Sequence, residues 1–310
     1  MKQVTFEKAY YIKLGKGGEW EEDSIRNSKI RIGWLDIPLE YINKCKWKAI
    51  EIELQKTIKT PNALKRDLNA LKKIYYADDN VIFITFYKSK LYWCKPKQTE
   101  PKVFEDEISK YRLVNGKWSD KNIKDEILFS DRISGKITKV QGFRGTLCEV
   151  KDREYLTRLI NGKPSREYES LEKSRNKLIE AVQDAIKHLF WKDFELLVDL
   201  LFRQSGWRRI SILGRGQRDV DLVLENPITK ERYLVQVKSS ASNKLLADYA
   251  RKFDANSYKK LFFIVHSSTD KTLDTRDIKI DKNIEVVNSA KLAEMIVDLG
   301  LVNWLMEKIR

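Results

Sequence analysis

The chain has 310 residues, 42% hydrophobic and 34% charged, which excludes a mainly disordered polymer and allows two domains that each bury a core. Sixty Lys and Arg against 45 Asp and Glu leave a net charge of +15 and a pI near 9.4. Such a surface attracts polyanions, nucleic acid first among them, and residues 1–160 carry most of the excess, with 33 basic against 23 acidic residues.

In chain order, residues 1–160 are dominated by short β-rich runs: VTFEKAYYIKL, KIRIGWL, WKAIEIEL, NVIFITFY, KLYWCK, GKITKV and TLCEVK. One helix interrupts them, PNALKRDLNALKKIYY, with Pro61 in its first turn and leucines on one face. This predicts a small, largely antiparallel β-barrel-like domain of α+β class. Gly162 and Pro164 then break a polar segment, and residues 161–175 are expected to be a linker.

From Tyr168 to Phe190 the apolar residues Leu171, Leu178, Val182, Ile186 and Leu189 lie near one face of a long helix. WKDFELLVDLLFRQSG follows as a helix ending at Gly206, then RRISIL, DVDLVLE and YLVQVK as strands, with the turn ENPITKER between the last two. SNKLLADYARKF is expected as a helix, KLFFIVHS and IEVV as strands, and SAKLAEMIVDLGLVNWLMEKI as one closing helix. Apolar strands alternating with helices imply an α/β domain over 176–310, with a mixed sheet covered on both faces.

Absences narrow the chemistry. The only histidines, His188 and His266, exclude multi-histidine zinc hydrolases and nucleases built on His-Asn-His or paired His-Lys motifs. Cys45, Cys94 and Cys148 form no Cys-x-x-Cys pair, so neither a zinc knuckle nor a disulfide framework is expected, and a reducing cytoplasm fits. There is no phosphate-binding Gly-x-x-x-x-Gly-Lys-Ser/Thr loop, so no nucleoside triphosphate is expected. The longest apolar runs have strand length, so no membrane insertion is expected.

The stretch GQRDVDLVLENPITKERYLVQVKSS carries the chemistry. Residues two apart on a strand share a face, so Asp219 groups with Asp221, and Gln236 with Lys238. Paired across the turn, Asp221, Gln236 and Lys238 gather at one sheet edge. Mg²⁺ takes oxygen ligands: here a carboxylate from Asp221, an amide oxygen from Gln236 and the backbone carbonyl of Val237. Lys238 would orient a water and offset charge developing on phosphate. Glu195, among apolar residues of the preceding helix, either pairs with Arg203 or Arg208 or points at this hairpin. His266 is expected as a strand-end residue, and Asp219 as a shaper of the turn or ligand of a second ion.

Taken in order, Glu195 in DFELLV, Asp219 and Asp221 in GQRDVDLVL, and Gln236 and Lys238 in VQVKSS resemble the PD-(D/E)xK nuclease superfamily, and within it the Mrr-like restriction endonucleases. The resemblance covers roughly 176–310. It implies a restriction-endonuclease-like fold and a Mg²⁺- or Mn²⁺-dependent DNA phosphodiesterase with Asp221, Gln236 and Lys238 at its core and Glu195 in support. It also implies a homodimer when cutting, since double-strand cleavage by this fold uses two sites. Leu222 stands where the family has a glycine.

The front half places tryptophans in basic or glycine-flanked settings, where aromatic faces could hold an unstacked base. Taken singly, each is better suited to a barrel core. The strand order, with a tryptophan after IRIG and LYW later, resembles the PUA-like group that includes the EVE and YTH domains. That resemblance implies a reader of modified bases over 1–160, with Trp34 and Trp93 as first pocket walls and Trp20 next. Arg144 in QGFRG is expected on phosphate. The expectation is a restriction or genome-defence DNA endonuclease. Its alternatives are a repair or junction nuclease on the same fold, or an inactive DNA-binding protein.

Overall fold

The computed structural model describes residues 3–106, 109–210, 221–268 and 282–310. The chain divides into two compact units, Met1–Ser165 and Arg166–Arg310.

The first unit runs β1 (Lys8–Ile12), α1 (Glu21–Arg26), β2 (Lys29–Ile32), α2 (Leu39–Asn43), α3 (Trp47–Thr57), α4 (Pro61–Tyr75), β3 (Val81–Tyr87), β4 (Lys90–Pro96), β5 (Lys102–Val103), β6 (Lys110–Ser119), α5 (Gly135–Thr138), β7 (Leu147–Glu149) and α6 (Arg153–Ile160). Its strands form a curled mixed sheet of order β2-β6-β4-β3-β1-β7, with β5 added on β6. Among the described residues only β1 and β3 pair in parallel; the other pairs are antiparallel. The β3–β4 hairpin turns through Lys88 and Ser89, both at positive φ (45° and 58°), as a two-residue primed turn requires.

Strand alternation sends side chains to two cores. Tyr10, Ile12, Phe83 and Cys94 pack with Ala70 and Ile74 of α4. Ala9, Tyr11, Ile82 and Ile84 pack with Ile137 of α5 and with Leu156 and Ile160 of α6. A buried arginine of β6, Arg112, donates to the carbonyls of Ile74, Tyr75 and Ala77, fastening the end of α4 to the sheet.

Two runs expected as strands are helical. WKAIEIEL lies in α3, where Ile50 and Leu54 are buried at helical spacing while Ile52, in phase with them on a strand, is 58% exposed. GKITKV begins as α5, started by the Ser134 side chain, which accepts from Lys136 N. Strand β6 was not anticipated, because its period is broken at Asn115–Gly116.

The second unit runs α7 (Arg166–Ile186), α8 (Trp191–Gln204), β8 (Arg208–Arg209), β9 (Leu222–Glu225), β10 (Arg232–Ala241), α9 (Asn243–Lys252), β11 (Leu261–Ser268), β12 (Ile284–Val287), α10 (Ser289–Asp298) and α11 (Val302–Ile309). Of the segment expected as a linker, residues 166–175 are the first turns of α7. The mixed sheet has order β12-β11-β10-β9-β8, antiparallel from β8 to β10 and parallel from β10 to β12. One face packs Leu222, Leu224, Val235 and Val237 against α7, α8, α10 and α11; the other packs Leu234, Phe263 and Val265 against Leu246 of α9.

On α7, Val182 and Ile186 are buried, but Leu171 and Leu178 face outward. Gly206, at φ 86°, ends α8: Trp207 N reaches back to Phe202 O at 2.9 Å, and the indole packs on Phe202. The same device at Gly300, with Leu301 N on Ile296 O at 2.9 Å, divides the expected closing helix into α10 and α11.

Candidate active site

The site forms where β9 begins beside the middle of β10. The pairing of Leu222 with Val235 places Asp221 at the level of Gln236. The turn that sets this register is held by Asn226, whose Oδ1 accepts from Ile228 N at 2.9 Å and Thr229 N at 3.1 Å. Leu222, at the family's glycine position, is buried in the core. Its packing fixes where Asp221 leaves the sheet.

Asp221 Oδ2 accepts from Val237 N at 2.6 Å and from Gln236 Nε2. The carboxylate thereby takes the place of a main-chain acceptor at the end of the ladder. A strand residue's N–H and C=O point to the same side, so the Val237 carbonyl lies on the edge that Asp221 faces. Gln236 is 2% exposed, and its Oε1 is buried without a hydrogen-bond partner among the described residues. Its amide nitrogen is satisfied and its oxygen is not.

Lys238, two residues on, shares the Gln236 face. Its ammonium sits 5.8 Å from the ring centroid of Tyr249 on α9 and makes no ion pair among the described residues.

Glu195 comes from the second turn of α8. Burial holds its carboxyl above the usual carboxylate range; the negative charge of Asp221 adds to this, while Lys238, Lys192 and Arg209 oppose it. These influences place Glu195 in the same electrostatic neighbourhood as Asp221 and Lys238. It forms no ion pair among the described residues. The acid that takes the arginines is Asp199, one turn on: buried, it meets Arg203 at 2.9 Å and Arg209 at 3.3 Å. Asp199 and Arg209 escaped the sequence reading, although Asp199 and Arg203 stand four apart on one helix face.

Glu195, Asp221, Gln236 and Lys238 are thus brought together, while Asp219 lies outside the described residues. Among the described residues no group of three or more His, Cys, Asp and Glu could hold a metal. The donors present are two carboxylates, an amide oxygen and a main-chain carbonyl, all of oxygen. An unpartnered buried amide oxygen beside a carboxylate fits a hard divalent cation.

His266 lies inside β11, buried, with Nδ1 2.9 Å from Ser267 Oγ, Nε2 without a partner among the described residues and its ring edge-on to Phe194. Burial, then the charge of Lys187, depresses its pKa, so it is neutral at physiological pH.

In the first unit the expected tryptophans do not converge. Trp34, at φ 57°, packs on the α4 side of the sheet and donates Nε1 to Asp67 at 3.3 Å. Trp93 packs on the opposite side and donates Nε1 to Lys121 O at 2.8 Å. Trp20 is near Trp34's side, but the Arg31 guanidinium stands 4.4 Å over its ring. Trp34 lines a cavity of about 340 Å³ shared with Asp36, Glu53 and Asp67. Arg144 is exposed and free of ion pairs among the described residues. No described helix is long and apolar enough to cross a membrane.

Residues 186–296 match the family model Mrr_cat, described as restriction endonuclease. No curated protein matches the chain. Among solved structures, the DNA modification-dependent restriction endonuclease AspBHI is similar at 11% identity and a TM-score of 0.32, over 73% of this chain and 68% of that one. The MspJI restriction endonuclease in complex with a 27-mer oligonucleotide is similar at 14% identity and a TM-score of 0.27, over 73% of this chain and 61% of that one.

Proposed function

We propose that this chain, whose residues 186–296 form a restriction endonuclease domain of the Mrr_cat family, hydrolyses DNA phosphodiesters with Mg²⁺ or Mn²⁺ at Asp221, Gln236, Val237 and Glu195. The observation that carries the reading is the buried Oε1 of Gln236, without a partner among the described residues, beside an Asp221 carboxylate anchored on Val237 N.

In this reading Asp221, Gln236 Oε1 and the Val237 carbonyl hold the cation, and Glu195 holds it directly or through a water. When bound, the ion polarises the scissile phosphate and makes hydroxide available near neutral pH. Lys238 holds its ammonium over Tyr249 with no ion pair among the described residues, and there it orients the attacking water and offsets charge gathering on the phosphoryl oxygens. The net charge of +15 supports DNA as the partner. The first unit, expected over 1–160, selects the DNA by a modified base, and the second, expected over 176–310, cuts it as a homodimer.

The test is incubation with Mg²⁺ and three matched plasmids: unmodified, cytosine-modified and adenine-modified. Wild type is expected to nick or cut and to stop on chelation, and Asp221→Asn and Lys238→Gln to lose at least about a hundredfold in rate. Cleavage that persists in Asp221→Asn refutes the site. Equal cutting of all three plasmids refutes base selection and leaves the nuclease standing.

A further inference from the structure

Gln236 and Lys238 stand on the sheet face that α9 covers. They are two residues apart on β10, and the parallel register sets Phe263 of β11 beside Gln236 and Val265 beside Lys238. On α9, Leu246 is buried in one cluster with Phe263 and Val265. Tyr249 follows one turn later on the same helix face, its ring centroid 5.7 Å from that of Phe263 and the planes at 52°. Phe263 is fully buried, so the half-buried tyrosine ring is braced against a side chain that cannot move away. Over the same tyrosine ring stands the Lys238 ammonium, 5.8 Å from the centroid.

A lysine stem has several rotatable bonds, and an ammonium at a sheet edge swings through solvent unless something holds it. The common holder is a carboxylate, and Lys238 has none among the described residues. Asp248, the acid beside Tyr249 on α9, is taken by Arg251. The choice of holder matters to the chemistry. A carboxylate would neutralise the ammonium and occupy its N–H donors. An aromatic face attracts the cation through the ring quadrupole and leaves both the charge and the donors available to water and phosphate. The charge also reaches the site, because Lys238 is among the groups that oppose the rise of the Glu195 carboxyl.

We propose that Tyr249 is a positioning residue for Lys238: its ring, braced on Phe263, holds the lysine stem so that the ammonium stays at the site with its charge intact. The proposal rests on the nuclease reading above, in which Lys238 orients the attacking water, and adds the residue that keeps Lys238 there. The ring face carries this role and the tyrosine hydroxyl does not.

The test is cleavage of the plasmids above with Mg²⁺ by the full chain, separated into kcat and KM. The proteins compared are wild type, Tyr249→Phe, a ring-fluorinated phenylalanine at position 249, and Tyr249→Leu alone and combined with Lys238→Gln. Fluorination draws negative charge off the ring face and leaves the packing on Phe263 nearly as it was, so a merely structural role would not respond to it. Tyr249→Phe, which keeps the ring, is expected to retain the wild-type rate to within about twofold, and the fluorinated ring to lower kcat about fivefold with KM unchanged. Tyr249→Leu is expected to lower kcat about tenfold by itself and to add no loss to Lys238→Gln, since a residue acting through the lysine has nothing to hold once the lysine is gone. If Tyr249→Leu fails to fold, the phenylalanine and its fluorinated form decide. Equal rates for those two, or a Tyr249→Leu loss that persists in full beside Lys238→Gln, overturn the proposal and leave Tyr249 as packing for Phe263. A wild type that cuts no plasmid overturns it together with the nuclease reading. Cleavage that is lost in Asp221→Asn but unmoved by every change at Tyr249 overturns the positioning role alone.

Discussion

The Asp221 carboxylate satisfies Val237 N and the Gln236 amide, so removing it touches folding as well as chemistry. Asp221→Ala leaves a main-chain N–H unpaired and should cost about 1–3 kcal/mol, whereas Asp221→Asn keeps an acceptor and removes the charge. Thermal melts of the two variants should therefore differ while both lose cleavage. Glu195 gives a signed pH prediction. Its folded-state pKa is raised by burial and then by Asp221, so the folded chain holds that proton more tightly than the unfolded one. Its contribution is full at pH below the ordinary carboxylate value, about 4.3, and is lost as pH rises through the raised one. In metal-free protein, Glu195→Gln should raise the melting temperature at pH 7, with the gain shrinking as pH falls toward 4. A lower melting temperature at pH 7 would contradict the burial argument. At this scale the grouping of Asp221, Gln236 and Lys238 on the sheet was legible, because a period of two makes a strand face visible from spacing alone. Which helical acid is left without an arginine among the described residues was not. Glu195 and Asp199 stand four apart on one helix, and only the fold shows that Asp199 takes Arg203 and Arg209.

For whole elements, legibility depended on whether one period was unambiguous. DVDLVLE and YLVQVK could only alternate, and the Asn226 turn closes them as a hairpin. WKAIEIEL satisfies both periods: Ile50, Ile52 and Leu54 align on a strand, while Ile50 and Leu54 also align on a helix. Packing against α4 selects the helix, because Ile50, Leu54 and Leu71 close one small core. The two assignments separate by mutation. Ile50→Ala should cost about 2–5 kcal/mol and Ile52→Ala no more than about 0.5 kcal/mol, measured by urea unfolding. Comparable losses at both positions would restore the strand. The tryptophans misled for a related reason. Trp34 packs on the α4 side, but alternation along β4 puts Trp93 on the face opposite Tyr92 and Cys94, which only the strand register reveals.

Across the whole molecule, the charge excess noted in the sequence acquires a location. An open groove of about 970 Å³ in the first unit is lined by seven basic residues against four acids, Glu7, Glu149, Asp152 and Glu154, and four of the basic ones, Lys8, Lys139, Lys151 and Lys163, are in no ion pair among the described residues. Lys136 and Arg158 line it too, but they are paired with Asp152 and Glu154. A solvated face and a phosphate track carry the same charge, and salt tells them apart. Each phosphate neutralised releases counterions and contributes about −0.9 to the slope of log affinity against log salt for duplex DNA. If the four free lysines meet the backbone, changing all of them to Gln should flatten that slope by up to about 4 and weaken every duplex alike, with discrimination between bases unchanged. Lys238→Gln should alter the slope by no more than about 1, because it removes a single charge. An unchanged slope in the fourfold variant would make the groove a solvated face. The front-half charge would then act only through long-range attraction, which raises association rates and leaves the number of phosphates bound where it was.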